Sequence, residues 1–185
     1  MTTVFIAGSI KIKHLDRLFV ERIENIVQKE FDVVVGDANG ADASIQKELM
    51  RLKATNVTVF CSGDKPRNNL GNWNVERVTS TAEPGTREFF TAKDVKMASS
   101  AEIGLMLWDA ASTGTLSNVF ELLSKNKTCV VFVNREKKFL NVREPEDMHE
   151  LVSVMTDGAR RVADRKIGLS EKLYTLSSEQ FSMVL

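Results

Sequence analysis

Short runs of apolar residues alternate with amphipathic segments along most of this 185-residue chain. The runs are rich in β-branched and aromatic residues and have the length of strands. The run at 32–36 shows no polar alternation, as expected of a strand covered on both faces. We predict five strands, at residues 4–8, 32–36, 56–61, 103–108 and 128–133.

Between these runs, apolar residues recur at steps of three and four, which is the period of a helix that buries one face. This spacing predicts helices at 14–30, 39–53, 86–100 and 115–125. Parallel neighbouring strands need crossover connections, so strands separated by helices indicate a mostly parallel sheet. The expected fold is therefore α/β and Rossmann-like, with three layers in which helices flank a five-stranded, mostly parallel sheet.

Two segments depart from this alternation. Residues 62–84 form a long polar connection, and such connections are usually functional or else disordered. After residue 134 the pattern weakens, although a helix is expected at 144–155. We predict a Rossmann-like nucleotide-binding domain at 1–134. Residues 135–185 are expected to form a helical extension, packed on the same domain or on a partner in a homodimer.

The composition narrows the class of protein. Apolar residues make up 43% and charged residues 27% of the chain, as in globular proteins, and Lys+Arg equal Asp+Glu at 25 each. This balance argues against nucleic acid as a partner. The first residues read as a strand rather than a signal peptide, and no window is apolar enough for a membrane span. We expect a cytoplasmic protein without membrane association.

The cysteines and histidines suggest no metal chemistry. Cys61 and Cys129 lie at or near the ends of strand-type runs, which is typical of free buried thiols in a reducing compartment. There is no Cys-x-x-Cys motif, and His14 and His149 are far apart in sequence. We therefore predict neither a metal site nor another cofactor.

Ligands of open parallel sheets lie beyond the carboxyl ends of the strands, where helix N-termini offer free N–H groups. The first strand ends in such a turn, at Gly8 and Ser9. The glycine would let the backbone approach a ligand closely, and the serine adds a hydroxyl group. Alternatively, Gly8 only relieves a tight turn.

The second turn, at 36–42, contains two glycines that would free the backbone to wrap an anion. Asn39 or Asp42 is suited to capping the following helix. The alternative is a capped turn that binds nothing. The candidate ligand residues of this turn are Gly36, Asp37, Asn39, Gly40 and Asp42.

The third turn, at 109–115, follows the fourth predicted strand and opens a helix. Ser112, Gly114 and Thr115 would supply N–H and hydroxyl groups to a phosphate. Asp109 would accept hydrogen bonds from a ribose or orient a reacting group. Its alternative role is to cap the turn.

Further candidates lie in the long connection and in the helix that follows it. Arg67, Asn69 and Trp73 combine a charged fork, an amide and a stacking surface, which suit a base or a sugar. A solvated loop anchored by Trp73 is the alternative. Lys93 and Asp94 are adjacent on a helix, so we expect them to face different ways, with a surface role for at least one.

The glycine turn at 36–42, the segment Arg-Asn-Asn-Leu-Gly-Asn-Trp at 67–73 and the run Trp-Asp-Ala-Ala-Ser-Thr-Gly-Thr at 108–115 carry a family resemblance. They resemble a small branch of the superfamily that unites the DNA-processing protein DprA with LOG-type phosphoribohydrolases, known as SLOG. The nucleoside deoxyribosyltransferase-like group is similar in layout. The likeness covers roughly residues 3–134. It implies a nucleotide or phosphoribosyl ligand, and relatives are often dimeric.

The resemblance also includes a departure. LOG enzymes carry a Pro-Gly-Gly-x-Gly-Thr turn that is soon followed by a catalytic glutamate. The turn here has a single glycine, and Asn118 occupies the position that the resemblance assigns to the glutamate. Glu121 lies one helical turn later and is the substitute, or is simply an exposed helix residue. The resemblance therefore implies inherited binding and leaves inherited catalysis open.

Three functions follow from these residues, and binding of a nucleotide, nucleoside or ADP-ribose-type ligand is our prediction. The second is N-glycoside hydrolysis or (deoxy)ribosyl transfer, which requires a carboxylate at the anomeric carbon. Asp109 would serve first and Glu121 second. The third is a DprA-like role in DNA processing, with a basic face at Lys11, Lys13 and Arg17.

Overall fold

The computed structural model describes the backbone of residues 1–183 and the side chains of residues 1–178. Its strands are β1 (Thr3–Gly8), β2 (Asp32–Gly36), β3 (Val57–Ser62), β4 (Asn74–Val78), β5 (Ile103–Trp108), β6 (Thr128–Val133) and β7 (Lys138–Val142). Its helices are α1 (Arg17–Gln28), α2 (Ala41–Arg51), α3 (Arg87–Ser100), α4 (Thr113–Leu123), α5 (Asp147–Ser153), α6 (Asp157–Ile167) and α7 (Leu169–Met183).

The strands form one sheet in the order β4-β3-β2-β1-β5-β6-β7. All neighbours are parallel except β6 and β7, which pair antiparallel. From β1 the chain adds strands outward to β4 and then returns to the other side of β1 with β5. This reversal makes the space between the ends of β1 and β5 the topological switch point, where open α/β sheets bind their ligands.

The five-stranded prediction is wrong, because the sheet has seven strands. β4 lies inside the connection predicted at 62–84, and β7 lies at the start of the extension predicted at 135–185. Both are five-residue edge strands. An edge strand has one neighbour and much exposed surface, so it needs no apolar run of the kind that identified the central strands.

The layers agree with the predicted three-layer architecture. On one face of the sheet, Phe19 and Ile23 of α1 and Ile45 and Leu49 of α2 are fully buried. The opposite face is covered by α3 and α4, together with α5 and α6. The α3 side of the core contains Phe5, Met97, Trp108, Leu116, Val119, Val131 and Val133.

The C-terminal extension shares this core. Met148 and Leu151 of α5, Ala163 of α6 and Leu169 at the start of α7 belong to the same buried cluster as Trp108. The extension begins with β7, which completes the sheet, and continues with the helices α5, α6 and α7. Residues 184–185 of the predicted extension lie outside the described residues. The homodimer stays a prediction.

Short polar side chains set the start of several helices. Asp16 caps α1 by accepting a hydrogen bond from the Leu18 N–H, so α1 starts three residues after the predicted His14. Ser112 caps α4 and Thr156 caps α6 in the same manner. No helix in the described part of the chain is long and apolar enough to cross a membrane.

Candidate ligand-binding site

The three predicted turns meet at one edge of the sheet, and Ser9 joins two of them. Its side chain is fully buried, and its Oγ accepts a hydrogen bond of 3.1 Å from the Asp109 N–H. The same Oγ lies 3.3 Å from Oγ1 of Thr115. The second turn reaches the first where Gly40 lies against the carbonyl of Ile10. The turns after β1, β2 and β5 therefore form one continuous surface.

The glycines of these turns do not all leave room for a ligand. A Cβ at Gly8 would lie 2.8 Å from Leu107 Cβ and 2.9 Å from Ala41 Cβ. Gly40 has a φ of +79°, and a Cβ there would collide with the carbonyl of Ile10. These two glycines let parts of the protein approach one another. Of Gly8, Gly40 and Gly114, only Gly114 has open space for a Cβ, since no atom would lie within 4 Å of it.

The turn after β5 is held by Asp109 and Ser112. One carboxylate oxygen of Asp109, Oδ1, accepts hydrogen bonds from the N–H groups of Ala111 (3.0 Å) and Ser112 (2.6 Å). Ser112 Oγ then caps α4, and Trp108 Nε1 donates to the Ser112 carbonyl at 3.0 Å. The capping role considered for Asp109 is therefore present. The second oxygen, Oδ2, has no hydrogen bond to the described residues and is left for other contacts.

A cavity of about 550 Å³ lies between this turn and α6. Two helices start beside it, since the caps Ser112 and Thr156 both line its wall, and helix N-termini carry partial positive charge. Lys11 and Lys166 also line it, against the single carboxylate of Asp109. We call this space the turn cavity. Its arrangement suits an anionic group.

Sequence reasoning missed the contribution of α6 to the turn cavity. Thr156 followed by Asp157 is a helix-start signal, and Lys166 falls nine residues after Asp157 on that helix. The sequence predicts a C-terminal extension at 135–185 and assigns none of its residues to the site. Only the packing of α6 against α4 brings Lys166 there.

A buried ion pair lies beside the second turn. Asp37 is 2% exposed and accepts from Arg67 through Nη2 (2.7 Å), Nε (3.1 Å) and the backbone N–H (3.0 Å). Burial alone would raise the pKa of Asp37, but the hydrogen bonds and charge of Arg67 outweigh it and lower that pKa. The guanidinium also stacks on Phe90, 4.5 Å from the ring centroid. Arg67 is thus largely occupied by the protein itself.

A second group of buried charges surrounds Gly36. Lys93 is 4% exposed, and its Nζ lies 2.7 Å from Oδ1 of the partly exposed Asp94, so the ends of these adjacent side chains form an ion pair. A Cβ at Gly36 would lie 2.8 Å from Lys93 Nζ and would collide with the Asp42 carboxylate. Burial acts to lower the pKa of Lys93, but Asp94 and Asp42 outweigh it and raise that pKa. The lysine is therefore held as a cation.

Asn69 and Trp73 form hydrogen bonds within the protein that hold their loop in place. The Asn69 amide donates to the Trp73 carbonyl (2.8 Å) and accepts from its N–H (3.0 Å). Trp73 Nε1 donates to the Ala54 carbonyl at 2.8 Å, which ties the loop to the end of α2. Asn39 is exposed and accepts from Asn68 Nδ2 at 3.0 Å. The alternative of a loop anchored by Trp73 matches these contacts.

The two predicted catalytic carboxylates lie in different places. Glu121 is paired with Lys125 at 2.8 Å and lines a groove of about 580 Å³ formed by α3, α4, the end of α6 and α7. Asp94 and Asn118 line the same groove, whereas Asp109 lines the turn cavity. The structure thus brings Asp94, Asn118 and Glu121 together and keeps them apart from Asp109. Within the described residues, no group of three His, Cys, Asp or Glu is placed to hold a metal ion.

Comparison with known proteins supports the class of fold. The sequence matches no protein-family model, and it matches no curated protein. Solved structures that are similar to this chain include two that match most of it. The first is DNA processing protein A from Helicobacter pylori, whose structure describes its single-stranded DNA binding mode. It has a TM-score of 0.57 and 16% identity, over 82% of this chain and 72% of that one.

The second is the molybdenum cofactor carrier protein MCP from Chlamydomonas reinhardtii. It has a TM-score of 0.50 and 12% identity, over 83% of this chain and 84% of that one. At such identities the likeness shows the fold alone. The chain is thus an α/β protein with a mostly parallel Rossmann-like sheet, of an architecture shared with DprA and MCP.

The contrast between two of these glycines is testable. We expect Gly8→Ala to lower the free energy of unfolding by about 1–3 kcal/mol, because its Cβ would enter the space of Leu107 and Ala41. Gly114→Ala is the matched control, with an open site in the first turn of α4, and should be neutral or stabilising by about 0.5 kcal/mol. Urea unfolding measures both. Equal losses of unfolding free energy in the two variants would contradict this account of the packing around Gly8.

The buried carboxyl of Asp42 predicts a dependence of stability on pH. Burial raises its pKa to about 6, despite the attraction of Lys93, whereas an unfolded aspartate titrates near about 4. The folded state therefore holds this proton more tightly. The stabilisation that comes from this proton of Asp42 is complete below a pH of about 4 and is lost as the pH rises through about 6.

Relative to Asp42→Asn, the wild-type protein should thus lose about 2–3 kcal/mol of stability between pH 4 and 7. Urea unfolding across that range measures the difference. Asp64→Asn, at an exposed carboxyl, controls for the removal of one negative charge. If wild type and Asp42→Asn show parallel pH profiles, the protonation assigned to Asp42 is wrong.

Proposed function

We propose that this protein binds a phosphate-bearing ligand of the nucleotide or ADP-ribose class in the turn cavity. One observation carries the proposal: the N-termini of α4 and α6 and the side chains of Lys11 and Lys166 border a single cavity beside the switch point of the sheet. Helix N-termini and lysines are both common partners of phosphate groups. The volume of about 550 Å³ suits a small organic ligand.

The sugar of such a ligand has a natural partner in Asp109. Its Oδ1 is fixed by two backbone N–H groups, so its Oδ2 is held in one orientation at the wall of the turn cavity. A carboxylate in that position accepts hydrogen bonds from ribose hydroxyls. The resemblance to the SLOG superfamily supports the same class of ligand.

Binding of ADP-ribose and of adenosine monophosphate by isothermal titration calorimetry tests the proposal. Lys166→Ala should weaken the binding of either ligand by about tenfold or more, since a hydrogen bond between charged groups is lost. Lys47→Ala, which removes an exposed lysine of α2, is the control and should bind like the wild type.

Two results would count against a nucleotide site in the turn cavity. One is the absence of any nucleotide, nucleoside or ADP-ribose compound that raises the melting temperature. The other is wild-type affinity in Lys166→Ala. Salt-sensitive retention on single-stranded DNA, reduced by Lys11→Ala and not by Lys47→Ala, would favour the DNA-processing role instead.

A second candidate function is cleavage of an N-glycosidic bond, and the orientation of Asp109 favours it. A fixed carboxylate at the sugar stabilises the positive charge that develops at the anomeric carbon, or attacks that carbon. Chromatography measures the release of free base from nucleosides or nucleoside monophosphates. We expect any such release to disappear in Asp109→Asn. Glu121→Gln should retain it, because Glu121 lines another space. If the wild-type protein releases no base, cleavage is ruled out and only the proposed ligand binding remains.

A further inference from the structure

The two faces of the sheet are covered by unequal numbers of helices. Helix residues in the buried cluster of one face come from α1 and α2, whereas those of the other face come from α3, α4, α5, α6 and α7. Parallel strands are normally covered on both faces. On the sparsely covered face, Ile103 of β5 and Val130 of β6 stay partly exposed beside α1. An apolar part of two inner strands is therefore open on this face.

A cavity of about 380 Å³ lies over these strands, with α1 as one wall, and we call it the α1 groove. Its volume lies in the range of small-molecule sites. The strands and the start of β2 give it an apolar lining, made of Val4, Phe31, Ile103, Gly104, Leu105 and Val130. From α1 it receives four residues at helical spacing, which lie along one face of that helix: Arg22, Asn25, Ile26 and Lys29.

Two cations border this apolar lining. The Arg22 guanidinium lies 4.8 Å from the ring centroid of Phe139, and Lys29 Nζ lies 5.9 Å from that of Phe31. Neither cation forms an ion pair with a carboxylate of the described residues. The described residues that line the groove include no Asp or Glu. The positive charge beside the groove is therefore not compensated by its own wall.

This combination selects the chemistry of an occupant. An apolar body is stabilised on the lining because its surface leaves water, and an anionic group is attracted by the two cations. A second copy of the chain is disfavoured, because a twofold interface would bring Arg22 and Lys29 of both copies to the same surface. An anionic amphipathic molecule matches the groove better than self-association does.

We propose that the α1 groove binds a small amphipathic acid, with an apolar body and one carboxylate group. The apolar body lies on Ile103, Leu105 and Val130, and the carboxylate pairs with the cations of α1. The proposal does not rest on the nucleotide function. The α1 groove lies beside the first residues of β1 and β5, whereas the turn cavity lies beyond their carboxyl ends.

Three probes separate the two requirements of the site. Octanoate, octylamine and acetate are titrated into the intact chain at pH 7 and followed by isothermal titration calorimetry. Octanoate and octylamine carry similar apolar chains with opposite charges, and acetate carries the negative charge without the chain. We expect octanoate to bind at least about tenfold more tightly than either of the other two.

Variants then locate the binding. Arg22→Gln combined with Lys29→Gln should weaken octanoate binding by about tenfold or more, since both cations are lost. Lys47→Gln combined with Lys96→Gln removes two exposed lysines from α2 and α3, and this matched control should bind like the wild type. Val130→Phe places a larger side chain on the lining and should also weaken binding. Melting temperatures show that each variant is folded.

Four results would overturn the proposal. The first is no binding of octanoate at millimolar concentration. The second is equal affinity for octanoate and octylamine, which would indicate apolar surface without selection for charge. The third is wild-type affinity in the Arg22→Gln and Lys29→Gln double variant. The fourth is a wild-type dimer that Val130→Asp converts to a monomer in analytical ultracentrifugation, which would show that a second copy of the chain covers this face.

Discussion

The buried hydroxyl of Ser9 joins the ends of β1 and β5, and the geometry of the candidate site depends on that contact. Ser9 Oγ accepts the Asp109 N–H and lies against Thr115, so the start of α4 has a defined position relative to β1. Asp109 is the first residue after β5, and its carboxylate orders the next turn. A side chain lacking the hydroxyl would leave the partly buried Asp109 N–H without its acceptor, which costs stability.

The charges beside the second turn are a related constraint. Asp37, Asp42 and Lys93 are each at least 94% buried, and isolated buried charges are strongly unfavourable. Each is compensated differently. Asp37 is bound by Arg67, Lys93 is bound by Asp94, and Asp42 holds its proton more tightly than an ordinary aspartate. Because Gly36 has no side chain, the side chains of Lys93 and Asp42 can both approach the end of β2. The cluster thus brings charges from α2 and α3 to the same end of β2.

α4 lines two separate spaces. Its N-terminus faces the turn cavity, where lysines and helix N-termini favour an anion. Its middle turns line the groove between α3, α4 and α7, which contains Asp94, Asn118 and Glu121. The C-terminal extension supplies one wall of each space, through α6 and α7. Residues outside the predicted nucleotide-binding domain therefore decide what both spaces can accept.

Local sequence was sufficient for the central strands and the helices between them, because apolar runs and helical spacing reflect burial of a local segment. It also indicated that the turns after β1, β2 and β5 lie along one edge of the sheet, since the carboxyl ends of parallel strands share that edge. The edge strands β4 and β7 escaped notice because they bury too little surface to require an apolar run.

The tertiary structure alone decided how the chemistry is distributed. Gly8 and Gly40 look like openings for a ligand in the sequence, but their space is taken by Ala41, Leu107 and Ile10 from other segments. Lys166 reaches the turn cavity only through the packing of α6, and Glu121 is turned away from Asp109 by its place on α4. Contacts between distant segments depend on how whole elements pack, and no local pattern of residues encodes them.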